Sequence, residues 1–112
     1  MRRMVSQFGS QQRRDGRAEL RLPCRVRAPD FEMPATVVDL SYGGAGISVP
    51  SGLATFGANN VRQISIEGLG AFEVIFRWKT SDRMGVSFKS QDSAKARIKA
   101  YFDANGIEPE PD

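Results

Sequence analysis

Arg13-Arg14-Asp15-Gly16-Arg17 sets two guanidinium groups four positions apart, with a third beside the first. In an extended chain the Cα atoms of Arg13 and Arg17 stand about 13 Å apart, whereas a turn brings them to roughly 6 Å. Asp15-Gly16 favours such a turn, because glycine adopts φ > 0 without steric cost. Two planar, permanently charged forks can then converge on one polyanion. A second cluster, Asp39-Leu40-Ser41-Tyr42-Gly43-Gly44, ends a run of β-branched residues. Asp39 and Ser41 are two apart, so in a strand they share a face, opposite Leu40. A carboxylate accepts from paired donors such as the N1–H and N2–H₂ edge of guanine, and a hydroxyl both donates and accepts. Gly43 and Gly44 place no side chain where backbone passes close to a ligand or turns sharply. Each cluster alone also has a plain structural reading. The first can be a solubilising basic tail, the second an Asx turn that ends a strand.

Composition narrows the chemistry. The chain of 112 residues contains no histidine, which removes the commonest general base, the usual partner of a Ser or Cys nucleophile and the commonest metal ligand. No pair of carboxylates stands apart from ordinary surface charge, and Asp39 has no second acid beside it in sequence to share acid–base work. The glycines at 43–46 do not fit a dinucleotide fingerprint, and no phosphate-loop lysine follows them. The chain is therefore read as a binding protein and not an enzyme, with no cofactor and no metal. Charge is uneven: residues 1–27 hold eight Arg against two acids, a balance of +6, and the remainder holds eight basic residues against eleven acids, a balance of −3. The basic residues of the first segment are all arginine, which suits phosphate and guanine better than lysine does. The single cysteine, Cys24, excludes an internal disulfide and reads as a small buried hydrophobe. No apolar run approaches the roughly 18 residues of a membrane span, and the N-terminal MRRMVSQFGSQQRR lacks the apolar region of a secretory signal. A reducing cytoplasm is the expected location.

Period-two alternation supplies the elements that must position these residues. Leu20, Leu22, Cys24 and Val26 alternate with Arg21, Arg25 and Arg27 in a first strand, where Pro23 on the outward face marks an edge or a bulge. Met33–Leu40 reads as a second strand and Ala45–Val49 as a third. Val61–Glu67 makes a fourth, Phe72–Lys79 a fifth and Met84–Phe88 a sixth, all separated by Gly, Pro and Asp turns. Such a run of short strands is the signature of a barrel or sandwich. Alternation sends Phe72, Phe76, Trp78 and Phe88 inward, as core and not as a platform for stacking bases. Ala94, Ile98, Tyr101 and Phe102 recur at helical spacing. Asp92 or Ser93 is expected to cap that helix at its start and Asn105-Gly106 at its end.

The two clusters together resemble the motifs of the PilZ domain, the bacterial receptor module for cyclic di-GMP. Arg13 and Arg17 match R-x-x-x-R, and Asp39, Ser41 and Gly44 match [DN]-x-[SA]-x-x-G, with no departure at a motif position. Gly44-Ala-Gly-Ile-Ser48, the strand ending at Trp78 and Met84-Gly-Val-Ser-Phe88 are also similar to the family, so the resemblance covers about residues 12–103. It implies a mainly β fold: a six-stranded antiparallel barrel with one C-terminal α-helix and a flexible N-terminal arm. The expected bounds are 1–12 for the arm, 13–104 for the barrel domain and 105–112 for a disordered tail. It further implies that Arg13 and Arg17, with Arg14 beside them, fold over cyclic di-GMP, while Asp39 and Ser41, with Gly43 and Gly44, hold a guanine edge on the barrel's outer wall. The expected partners are the cyclic dinucleotide and an unidentified downstream protein in motility, exopolysaccharide or biofilm control, with no nucleic-acid polymer. The competing expectation is an adaptor of PilZ type that contacts protein without the nucleotide.

Overall fold

Alternating apolar residues carry this chain into strands that each bury one face, and in a chain this short those faces close on one another around a single core. The structure, a computed structural model, describes residues 17–50 and 57–109. Six strands, β1 (Arg17–Ala28), β2 (Phe31–Ser41), β3 (Gly44–Ser48), β4 (Gln63–Ile66), β5 (Gly70–Lys79) and β6 (Arg83–Phe88), precede one helix, α1 (Gln91–Ala104). A short 3₁₀ turn, Ala58–Asn60, leads into β4. All pairings are antiparallel, and the strands close into a barrel in the order β1-β2-β3-β6-β5-β4. Val26, Val37, Leu40, Ile47, Ile64 and Met84 fill its interior. Ala94, Ile98 and Phe102 of α1 are buried in the same cluster, and no polar or charged residue is buried among the described residues.

Three register shifts interrupt the ladders, and two of them set which residues face out. In β1 the register shifts between Glu19 and Leu22, in β2 between Val37 and Asp39, and in β5 between Phe76 and Trp78. In β2 and β5 the bulge inserts one unpaired residue and reverses the inside–outside phase beyond it, whereas β1 keeps its even-numbered residues inward throughout. Met33 and Val37 point inward along β2, so strict alternation would send Asp39 inward too. The bulge instead buries Leu40 completely and leaves Asp39 and Ser41 on the outer wall. In β5 the same device corrects the expectation for Trp78. Phe72 and Val74 are buried and Phe76 is half-buried, but Trp78 is 48% exposed.

Other boundaries also move. β1 begins at Arg17, three residues before the expected Leu20, so Arg17 belongs to the barrel wall. α1 begins at Gln91, ahead of the expected caps Asp92 and Ser93, with Ser90 at the cap position making no side-chain cap bond. Its other end matches the expected Asn-Gly stop. Gly106 takes φ 66°, the Ile107 N–H donates to the Phe102 carbonyl at 2.9 Å, and Ile107 packs on the core. That is a Schellman closure, and it ties down residues 105–107, within the bounds expected for the tail. Residues 110–112 lie outside the described residues.

Two outcomes test this packing. Phe102 is 1% exposed, so Phe102→Ala lowers stability by about 3–5 kcal/mol, seen as a fall in the urea midpoint with the m-value unchanged. Burial pushes the Cys24 thiol up to about 11. At pH 8 the native protein therefore resists a thiol-specific reagent that labels it rapidly in urea; equal rates in both states contradict the buried position.

Candidate functional site

Cross-strand register arranges one part of the outer wall as two adjoining rows. Arg17 in β1 stands opposite Ser41 in β2, Gly44 in β3 faces Ser41 across the turn, and Ser87 in β6 stands opposite Gly44. In the second row Asp39 stands opposite Gly46, Gly46 opposite Gly85 and Gly85 opposite Trp78. The rows outline a groove of about 350 Å³ lined by Arg17, Asp39, Ser41, Gly43, Gly44, Gly46, Arg77, Trp78, Gly85 and Ser87, among others. That volume lies in the range of small-molecule sites, about 300–1,000 Å³.

Glycine makes the groove. A Cβ on Gly46 would stand 2.6 Å from Asp39 Oδ2, and one on Gly85 would stand 2.7 Å from Trp78 Cζ2 and closer still to Nε1. The carboxylate and the indole thus each lean over a glycine floor, from opposite walls. Gly44 has a different reason: a Cβ there would collide with the Val86 carbonyl oxygen, so this strand pairs closely only with glycine at that position.

The polar groups divide by what already occupies them. Ser41 Oγ accepts from the Gly44 N–H at 3.1 Å and donates to the Gly44 carbonyl at 3.2 Å. It holds the β2–β3 turn and retains a lone pair, so it can accept from a ligand without leaving the turn. Arg17 Nη2 lies 3.6 Å from Asp39 Oδ2, and the side chains are 43% and 25% exposed. Arg25 and Arg27, further along β1, are committed elsewhere. Arg25 Nε donates to Glu32, Arg27 Nε lies 3.4 Å from the same carboxylate, and Arg27 Nη1 donates to Gln63. The Arg25 hydrogen bond, seconded by the Arg27 charge, holds Glu32 below the usual carboxylate range. The turn is also fastened to α1: Gln91 Nε2 donates to the Gly43 carbonyl at 3.2 Å, and the Tyr42 ring packs on Phe102 with Lys95 Nζ 5.5 Å from its centroid.

The fold therefore gathers Arg17, Asp39, Ser41, Gly43 and Gly44, chosen from the sequence, on one groove. Arg13 and Arg14 lie outside the described residues. Sequence reasoning missed the far wall, Arg77, Trp78, Gly85 and Ser87. Strict alternation hid Trp78. The legible signal was glycine within strands at 46 and 85, which marks close approach by backbone, side chain or ligand.

The model of the PilZ domain matches residues 11–104. The chain belongs to the PilZ domain family. No curated protein gives a significant match. Among solved structures, this PilZ chain is similar to the Bacillus subtilis inhibitor of motility (MotI/DgrA), with 16% identity and a TM-score of 0.60 over 83% of this chain and 51% of that one. At that identity the likeness is one of fold, and the present chain spans about half the length of its neighbour. No helix among the described residues of this PilZ domain is long and apolar enough to cross a membrane.

The groove's floor is testable through its fluorophore, because Trp78 is the chain's one tryptophan. Gly85→Ala forces the indole off its seat. The expected result is a red-shifted emission with stronger iodide quenching, while the far-ultraviolet circular dichroism stays that of the barrel. Unchanged emission contradicts the seating.

Proposed function

We propose that this PilZ domain is a receptor for cyclic di-GMP, held in the groove between Arg17 and Asp39 on one wall and Trp78 on the other, and that it acts by binding and not by catalysis. The observation that carries this reading is convergence. Arg17 and the Asp39–Gly44 segment, which match the family's two motifs, share one groove. The ligand's chemistry fits what the groove offers. Asp39 accepts from the N1–H and N2–H₂ edge of a guanine, and Ser41 offers its remaining lone pair. The Arg17 fork serves a phosphate or the O6/N7 edge of guanine. The exposed indole of Trp78 gives a flat apolar surface on which a base stacks, worth about 1–3 kcal/mol.

The ligand must compete with the Arg17–Asp39 pair, but a half-exposed pair is worth only about 0–1 kcal/mol. Arg17 is fixed in β1, so its backbone is in place before the ligand arrives. Arg13 and Arg14 are assigned to the phosphates. Fixing backbone costs roughly 1–2 kcal/mol per residue and a charge-assisted hydrogen bond returns roughly 1.5–3, so holding residues 13–16 over the ligand takes several such bonds. The closed segment then presents a surface that a partner protein reads, in a process such as motility or biofilm control.

Isothermal titration calorimetry with cyclic di-GMP tests the reading. The wild type binds saturably, and Arg17→Ala loses at least about 2 kcal/mol, some thirtyfold in affinity. Near-wild-type binding by that variant refutes the role of Arg17. No binding by the wild type at physiological ionic strength refutes the receptor and leaves the nucleotide-independent adaptor.

A further inference from the structure

Arg77 is placed by two features. The bulge between Phe76 and Trp78 makes it the extra residue of β5, so it and Trp78, successive in sequence, both lie exposed on the groove. A bulge re-aims side chains in this way. Its Nε donates to Ser87 Oγ at 2.5 Å, which holds the side chain against the neighbouring strand β6. Ser87 takes only Nε, so the two terminal nitrogens of the fork remain for a ligand.

Arg77 and Arg17 stand on opposite walls. Arg17 reaches Asp39 on β2, and Arg77 is pinned to Ser87 on β6. Those strands are separated by β3, two interstrand steps, or roughly 10 Å. The groups that hold the two side chains, Asp39 and Ser87, thus stand at separate points along the groove. Asp39 is the acid that lines the groove, and it stands on the Arg17 side. The Arg77 end therefore carries positive charge unopposed by any lining carboxylate.

We propose that Arg77, held by Ser87, is a second anion anchor, which takes a phosphate of the ligand at the Trp78 end of the groove while Arg17 serves the other end. This inference rests on the cyclic di-GMP reading and extends it to a residue outside both motifs.

The experiment compares wild type, Arg77→Ala, Arg77→Lys and Ser87→Ala by calorimetry, with cyclic di-GMP and with GMP, at several salt concentrations. Arg77→Ala weakens cyclic di-GMP binding at least about tenfold and flattens its dependence on salt, while its affinity for GMP stays within about twofold of wild type. Arg77→Lys keeps the salt dependence, and Ser87→Ala gives an intermediate loss that Ser87→Thr restores. An unchanged urea midpoint shows that the barrel is intact. A residue with only a structural role would leave the salt dependence alone. If the wild type binds and Arg77→Ala matches it, or loses affinity with no change in salt dependence, the second anchor is overturned while the receptor stands. If the wild type does not bind cyclic di-GMP, both readings fall.

Discussion

The groove depends on a choice made by β2 between burying Leu40 and burying Asp39. Continued alternation past Val37 would place the carboxylate in a core that holds no polar group among the described residues. An unpaired buried charge costs several kcal/mol even after relaxation. Burying a leucine side chain contributes about 1.5–3 kcal/mol, and interrupting the ladder forfeits a hydrogen bond worth about 0.5–1.5. The bulge between Val37 and Asp39 is thus the cheaper solution. It turns a conflict in the hydrophobic pattern into an outward-facing acid two residues from Ser41, with its carboxylate 3.6 Å from the Arg17 guanidinium. This wall of the groove exists because the core rejects the charge.

β5 makes the opposite bargain. Its bulge exposes a tryptophan that alternation would have buried, so hydrophobic burial alone does not account for it. The indole settles for contact with the backbone of Gly85, keeping part of its surface from water and the rest available. Departures of this kind from local rules are expected where a site is built. The two bulges face each other across the paired glycines 46 and 85, and between them they determine the width, floor and walls of the groove.

Much of this was legible in the residues. Leu20 to Val26 alternate cleanly and are a strand; Ala94, Ile98 and Phe102 recur at helical spacing and are a helix face. Simple alternation puts Asp39 and Ser41 opposite Leu40, whereas the bulge that turns that pair outward leaves no mark on composition. Trp78 was misplaced for the same reason: period two cannot report an inserted residue, and only the register with β6 reveals it. Clean alternation in the sequence begins only at Leu20, whereas pairing with Ser41 draws Arg17 into β1. That ladder is formed with residues more than twenty positions away. The fastening of the turn to α1 through Gln91 and Tyr42 is likewise a long-range contact with no local signature.

The central claim is that one groove, with a motif wall and a tryptophan wall, receives cyclic di-GMP. Titration of ¹⁵N-labelled protein with the nucleotide, followed by heteronuclear correlation spectra, addresses both walls at once. The account predicts that the amides of Gly44, Gly46 and Gly85 and the indole N–H of Trp78 shift together and saturate at one ligand concentration, while amides near Cys24 and Ile64 stay still. Shifts confined to one wall, shifts centred elsewhere on the barrel, or spectra that do not change contradict it.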